Sequence, residues 1–236
     1  MPVRQLFLEN KFFTLKEVCS PLLDDYSILV TVSYSFISAG HETAEIITQN
    51  NNTFLKNAST KLKKLLELIA HQGGTQVQSI VRNKISGHIT PVGHSCTGRV
   101  IAVGHKVRRF AIGDLVACIG EGLANHAEVI CVPEHLVAHI HRQELLKSAS
   151  LTGIGSLAIH TFRCTHATLG ETVCVIGAST LGQLIIQIAR TSGCRVIAID
   201  SNEDYLKYAR EVGAEYVHTI GNIRLQETIE IGRAHV

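Results

Sequence analysis

No run in the 236-residue sequence approaches the roughly 20 consecutive apolar residues that a membrane-spanning helix needs. The first residues also lack the charged, apolar and small-residue order of a secretory leader. The protein is therefore expected to be cytoplasmic, with no membrane partner. Lysine and arginine form no block long enough to follow a phosphate backbone, and the formal net charge is only +2, so nucleic acid is not an expected partner. Cys-x-x-Cys does not occur. Cys19, Cys96, Cys118, Cys131, Cys164, Cys174 and Cys194 are odd in number and scattered, which fits reduced thiols rather than a disulfide frame or a structural zinc lobe. What is present, 45% hydrophobic and 18% charged residues, suits an ordinary soluble protein of one or two domains.

The most informative stretch is TVCVIGASTLGQLIIQIARTSGCRVIAID, residues 172–200. Residues 172–176 form a β-branched, apolar run without alternation, as expected of a parallel strand covered on both faces. Gly177, Ser179 and Gly182 follow at the spacing G-x-G-x-x-G, with serine at the middle position. Leu181, Leu184, Ile185, Ile188 and Ala189 then recur at helical spacing, so the turn opens directly into a helix. A helix N-terminus presents unpaired N–H groups and partial positive charge, which suits a diphosphate. The nucleotide-binding candidates are Gly177, Ser179, Thr180, Leu181 and Gly182, with Asp200 and Ser201 at the end of the next strand. A carboxylate at Asp200 accepts hydrogen bonds from both ribose hydroxyls and repels a 2′-phosphate, so NAD is expected over NADP. The plainer reading is a glycine turn that only packs helix on strand. Strand before, helix after and acid on the following strand together favour the nucleotide.

Elsewhere, residues 26–34 (YSILVTVSY) read as a strand, with Tyr34 expected in the core, and residues 55–70 as an amphipathic helix stopped by Gly73 and Gly74. Between residues 91 and 140, glycines punctuate short apolar runs (RVIAV, DLVACI, AEVICV, HLVAHI), the pattern of a compact β-barrel with tight turns. A helix over residues 203–212, capped by Ser201 or Asn202, and a strand over 216–220 complete the pattern. Only the first of the two βαβαβ halves of a doubly wound dinucleotide domain is then accounted for. Residues 231–236 (IGRAHV) look like one reading frame of a sequencing adapter, so the chain is expected to be a truncated fragment.

Gly93-His94, Gly98-Arg99-Val100, Val103-Gly104 and Gly113-Asp114-Leu115-Val116, followed by Gly177, Gly182 and Asp200, resemble the medium-chain dehydrogenase/reductase superfamily. The resemblance implies a GroES-like β-barrel N-terminal domain, residues 1–147, followed by an incomplete α/β Rossmann domain, residues 148–230, with 231–236 as a scar. It also implies hydride transfer between a nicotinamide and an alcohol or carbonyl substrate. More narrowly, residues 34–40 (YSFISAG), the helix at 55–70 and residues 124–129 (ANHAEV) look like bacterial two-part oxidoreductases of polysaccharide gene clusters. That implies a sugar-derived substrate and a downstream domain of the same polypeptide. Self-association of the oxidoreductase domain is a further expectation.

Zinc enzymes of this superfamily hold the ion with a cysteine, a histidine and a second cysteine. The resemblance puts Ala39 and Gly153 in the cysteine positions and leaves His94 in the histidine position, so zinc is not expected and no metal ligand is assigned. A rescue set of His94, His41, Glu42 and Cys96 remains an alternative. Without zinc, a side chain must donate to the substrate oxygen. His94, His41 and Glu42 are the catalytic candidates, histidine being the favoured acid because its ordinary pKa, about 6.5, lies near working pH. Two other readings stay open: a zinc-dependent alcohol dehydrogenase, and an NAD-binding module without chemistry inside a larger protein. The fragment alone is expected to be inactive.

Overall fold

The computed structural model describes residues 2–9, 12–38, 40 and 89–220. The helix expected over 55–70, together with Ala39, His41, Glu42 and residues 221–236, lies outside these described residues. The chain divides into two compact units, Met1–Gly153 and Ile154–Val236.

The first unit is built from antiparallel strands. Strands β1 (Pro2–Glu9), β2 (Phe12–Cys19) and β4 (Ile89–Pro91) form a sheet in the order β2-β1-β4. Strands β3 (Ser27–Ser35), β5 (Ser95–Val103), β6 (Leu115–Ile119), β7 (Val129–Pro133) and β8 (Val137–His139) form a second, in the order β7-β3-β5-β6-β8. Alternation along these strands directs Ile28, Val30, Cys96, Val100, Val116, Cys118, Ile130 and Val132 into one core. Each such aliphatic side chain contributes about 1.5–3 kcal/mol when fully buried.

Tyr34 departs from the expectation of a core residue: it is 45% exposed. The pairing of β3 with β5 shifts register between Val32 and Tyr34. One extra residue on β3 reverses which face the following side chain occupies, so Tyr34 leaves the face that carries Ile28 and Val30. A short helix, α1 (Leu146–Ala149), is tied to β5 by the Thr97 hydroxyl, which donates to the Leu146 carbonyl at 2.9 Å.

The second unit alternates helices with parallel strands. After α2 (Thr152–Cys164) come β9 (Thr172–Ile176), α3 (Thr180–Thr191), β10 (Arg195–Asp200), α4 (Glu203–Glu211) and β11 (Tyr216–Thr219). The sheet order is β11-β10-β9 and both pairings are parallel. Its core joins Phe162 of α2, Val175 of β9, Ile186 and Ala189 of α3, Val196 and Ala198 of β10, and Leu206 and Ala209 of α4. The helix starting after residue 202 is capped by Asn202, whose side-chain oxygen accepts from the N–H groups of Asp204 and Tyr205.

Candidate functional site

The glycine turn sits at the C-terminal ends of β9 and β10, where an open parallel sheet presents its crevice. Gly177 has φ +95°, in the region that favours glycine, and its N–H donates to Ile199 of β10 at 2.8 Å. A Cβ on Gly182 would fall on the Gly177 carbonyl oxygen, so the start of α3 presses against the turn as only glycine allows. Ser179 occupies the N-cap position with extended backbone, but its hydroxyl makes no capping hydrogen bond. The first backbone bond within α3 runs from Gln183 N–H to the Ser179 carbonyl at 2.8 Å. The N–H groups of Thr180, Leu181 and Gly182 precede it, as the first-turn donors of any helix do.

Asp200 lies directly beside this turn. Its Oδ2 accepts from the Ala178 N–H at 2.6 Å, and its Oδ1 accepts from the Asn202 N–H at 2.8 Å. Gly177, Ser179, Thr180, Leu181, Gly182 and Asp200 are thus brought together, and Ser201 follows in an exposed bend. These features fit a dinucleotide: a close-packed glycine turn, an uncapped helix start and a carboxylate one strand away.

In the first unit, His94 is half-buried just before β5, its ring edge-on to Phe36 at 6.0 Å between centroids. Gly153 lies against it. A Cβ added there would sit 2.7 Å from the Ser95 Cβ, 2.8 Å from the Ser95 Oγ and 3.6 Å from the His94 ring. The Ser95 hydroxyl donates to the Ser150 carbonyl at 2.7 Å and accepts from the Gly153 N–H at 3.0 Å. The position next to His94 where a cysteine ligand would stand is therefore occupied by a serine hydrogen-bond network.

Cys96, a member of the rescue set, is fully buried in the core opposite Cys118. The hydrogen bond between the two thiols, with burial, pushes the Cys118 thiol well above its ordinary pKa, which disfavours a metal-binding thiolate there. Among the described residues no three His, Cys, Asp or Glu side chains converge as metal ligands. Of the rescue set, the described members His94 and Cys96 bring no thiolate beside the histidine, and His41 and Glu42 lie outside the described residues.

The fold adds a pair that sequence reasoning passed over. His126 Nδ1 lies 2.8 Å from the Ser35 hydroxyl, joining residues 91 positions apart. The N–H of His126 donates to Val92, and Gly93 approaches its backbone too closely for any Cβ, so the His126 segment packs on the turn that carries His94. Ser35 also lines a groove of about 650 Å³ together with Tyr34, Phe36, Lys147, Ser148 and Leu151. Nothing in the spacing of Ser35 and His126 marks them as partners. His139 bonds the Arg109 carbonyl at 2.8 Å and lies 3.7 Å from Asp114.

A parallel sheet with a glycine turn and an acidic strand end is the arrangement in which open α/β sheets bind dinucleotides. Residues 180–231 match the zinc-binding dehydrogenase family. The chain is 30% identical over 176 residues to aldehyde reductase YahK of Escherichia coli strain K12, a match covering 58% of this chain and 50% of that protein. It is 31% identical over 155 residues to an NAD-dependent alcohol dehydrogenase of Sulfurisphaera tokodaii, covering 53% and 45% respectively. An alcohol dehydrogenase superfamily protein from Novosphingobium aromaticivorans shares the fold with TM-score 0.71 at 21% identity, over 99% of this chain and 63% of that one. The chain is thus similar to alcohol and aldehyde oxidoreductases over a little more than half its length, and its second unit carries the dehydrogenase-family match. It spans about half the length of the curated relatives it matches.

Proposed function

We propose that the protein is an NAD-dependent, zinc-independent oxidoreductase acting on an alcohol or carbonyl substrate. Its first unit is read as a GroES-like barrel, and its second as carrying one βαβαβ half of the Rossmann fold. The observation that carries the cofactor reading is the Asp200 carboxylate lying 2.6 Å from the amide of the glycine turn. In this reading the first-turn amides of α3 and the Ser179 hydroxyl hold the diphosphate. Asp200 keeps acceptor capacity for the adenosine ribose, since each carboxylate oxygen offers two lone pairs and one bond to each is already made. NAD, when bound, supplies the hydride acceptor.

Zinc independence is supported by the chemistry around His94, where Gly153 and Ser95 leave neither a thiolate nor room for one. Proton transfer to or from the substrate oxygen then falls to side chains. His94 is the leading candidate among the described residues, with His41 and Glu42 as further candidates. His126, hydrogen-bonded to Ser35 on the groove wall, is a second imidazole whose ring nitrogens can donate or accept a hydrogen bond. All seven cysteines are free, which fits a cytoplasmic setting.

Calorimetric titration of the chain with NAD and with NADP tests the cofactor reading. NAD is expected to bind at least about tenfold tighter, equivalent to roughly 1.4 kcal/mol. Equal affinities, or no affinity for either, would overturn it.

A further inference from the structure

The glycine turn is held by a closed circuit of hydrogen bonds that passes through α4. Ala178 is held at both of its backbone groups: its N–H donates to Asp200 Oδ2 at 2.6 Å, and its carbonyl accepts from the Gln183 side-chain amide at 2.8 Å. Asp200 Oδ1 takes the Asn202 N–H at 2.8 Å, and the Asn202 side chain caps the first turn of α4. The circuit closes because the same Gln183 amide also donates to the Tyr205 carbonyl of α4 at 2.8 Å. Gln183 stands one residue past the last glycine of the turn, and its side chain is the only one in the circuit that joins the turn to α4 without passing through Asp200.

Both hydrogens of the Gln183 NH₂ group are spent on backbone carbonyls, while its Oε1 is buried with no partner among the described residues. An unsatisfied buried acceptor is costly, and an apolar residue of the same shape would avoid that cost. The arrangement gains instead a fixed orientation for the Ala178 peptide, and with it for the amides that follow. A cradle aligned before its anion arrives loses less free energy on binding than one that must be ordered by it.

We infer that Gln183 is a positioning residue for the nucleotide diphosphate: it locks the Ala178 peptide to α4 so that the amides at the start of α3 are preset for a phosphate. The inference rests on the cofactor reading above. It is specific to the diphosphate, because the adenosine sugar is held by Asp200, whose own bonds do not involve Gln183.

The test compares wild type with Gln183→Met, which keeps length without a donor, and Gln183→Lys, which restores one. NAD and adenosine affinities are measured by calorimetry, and exchange of the amides over residues 177–182 is followed in the free protein. Gln183→Met is expected to weaken NAD about tenfold while leaving adenosine within about twofold, and to speed exchange at the turn. Gln183→Lys is expected to recover most of both effects. Unchanged NAD affinity and exchange in Gln183→Met would overturn the inference, as would equal losses for NAD and adenosine. Should Gln183→Met fail to fold, wild-type values in Gln183→Lys support the inference and a tenfold loss there overturns it. Absence of NAD binding by wild type would instead sink the cofactor reading, a separate result, while the exchange comparison would still decide whether Gln183 orders the turn.

Discussion

Asp200 and Ala178, 22 residues apart, meet at 2.6 Å, carboxylate oxygen to backbone N–H, across the C-terminal ends of two parallel strands. The carboxylate thereby has two separable roles, an acceptor that fixes the turn and a negative charge beside the expected ribose site. Asp200→Asn retains an acceptor and removes the charge. NADP affinity is expected to rise by about tenfold or more relative to NAD, with the melting temperature changed less than in Asp200→Ala. Calorimetry with both nucleotides and a thermal melt check this.

The two glycines of the turn should fail for different reasons. Gly182→Ala drives a Cβ onto the Gly177 carbonyl, a backbone atom that cannot rotate away, so a loss of roughly 1–3 kcal/mol and weaker nucleotide binding are expected. Gly177→Ala meets no atom within 4 Å and is penalised only by its φ of +95°, about 1–2 kcal/mol. Urea unfolding of the two variants separates steric from conformational strain.

Gly153→Cys would restore the residue type that zinc relatives use, yet its Cβ would stand 2.7 Å from the Ser95 Cβ. The variant is expected to lose stability by roughly 1–3 kcal/mol, and Ser95→Gly in the same chain to recover part of it. Metal analysis of purified wild type should find zinc well below one equivalent and unchanged by His94→Ala. Stoichiometric zinc lost on that substitution would refute zinc independence.

Arg4 and Glu128 pin β1 to the segment before β7, with Nε and Nη2 of Arg4 both donating to one carboxylate oxygen at 2.8 and 2.5 Å. The other oxygen accepts the Arg4 backbone N–H at 2.9 Å. These bonds hold the Glu128 carboxyl below its usual range. Because the folded value is the lower one, the contribution is complete above the unfolded pKa, about 4.3, and is lost as pH falls through the folded value. Glu128→Gln should therefore be less stable than wild type at pH 7 and converge with it in acid. Both groups are exposed, so the difference should be small and reduced by salt. Denaturation midpoints from pH 3 to 7 measure it.

Local chemistry made the second unit readable. Strand 172–176, the turn and the helices after it follow from β-branched runs, helical periodicity and an asparagine cap, all short-range effects, and they appear within a residue or two of where the pattern puts them. Tyr34 shows the opposite case: alternation assigned it to the core, but a register shift against β5 is set by the partner strand and leaves no trace in the residues of β3 themselves.

The sequence by itself determined which residues could make a nucleotide turn and that Asp200 would close the neighbouring strand, because glycine content, periodicity and charge are properties of adjacent residues. Only the tertiary structure decided that Gln183 reaches both Ala178 and Tyr205, that His126 meets Ser35, and that Ser95 fills the space beside Gly153. Those relationships join residues brought together by sheet pairing and helix packing, and hydrogen-bond geometry at distances near 3 Å exists only once the chain has folded.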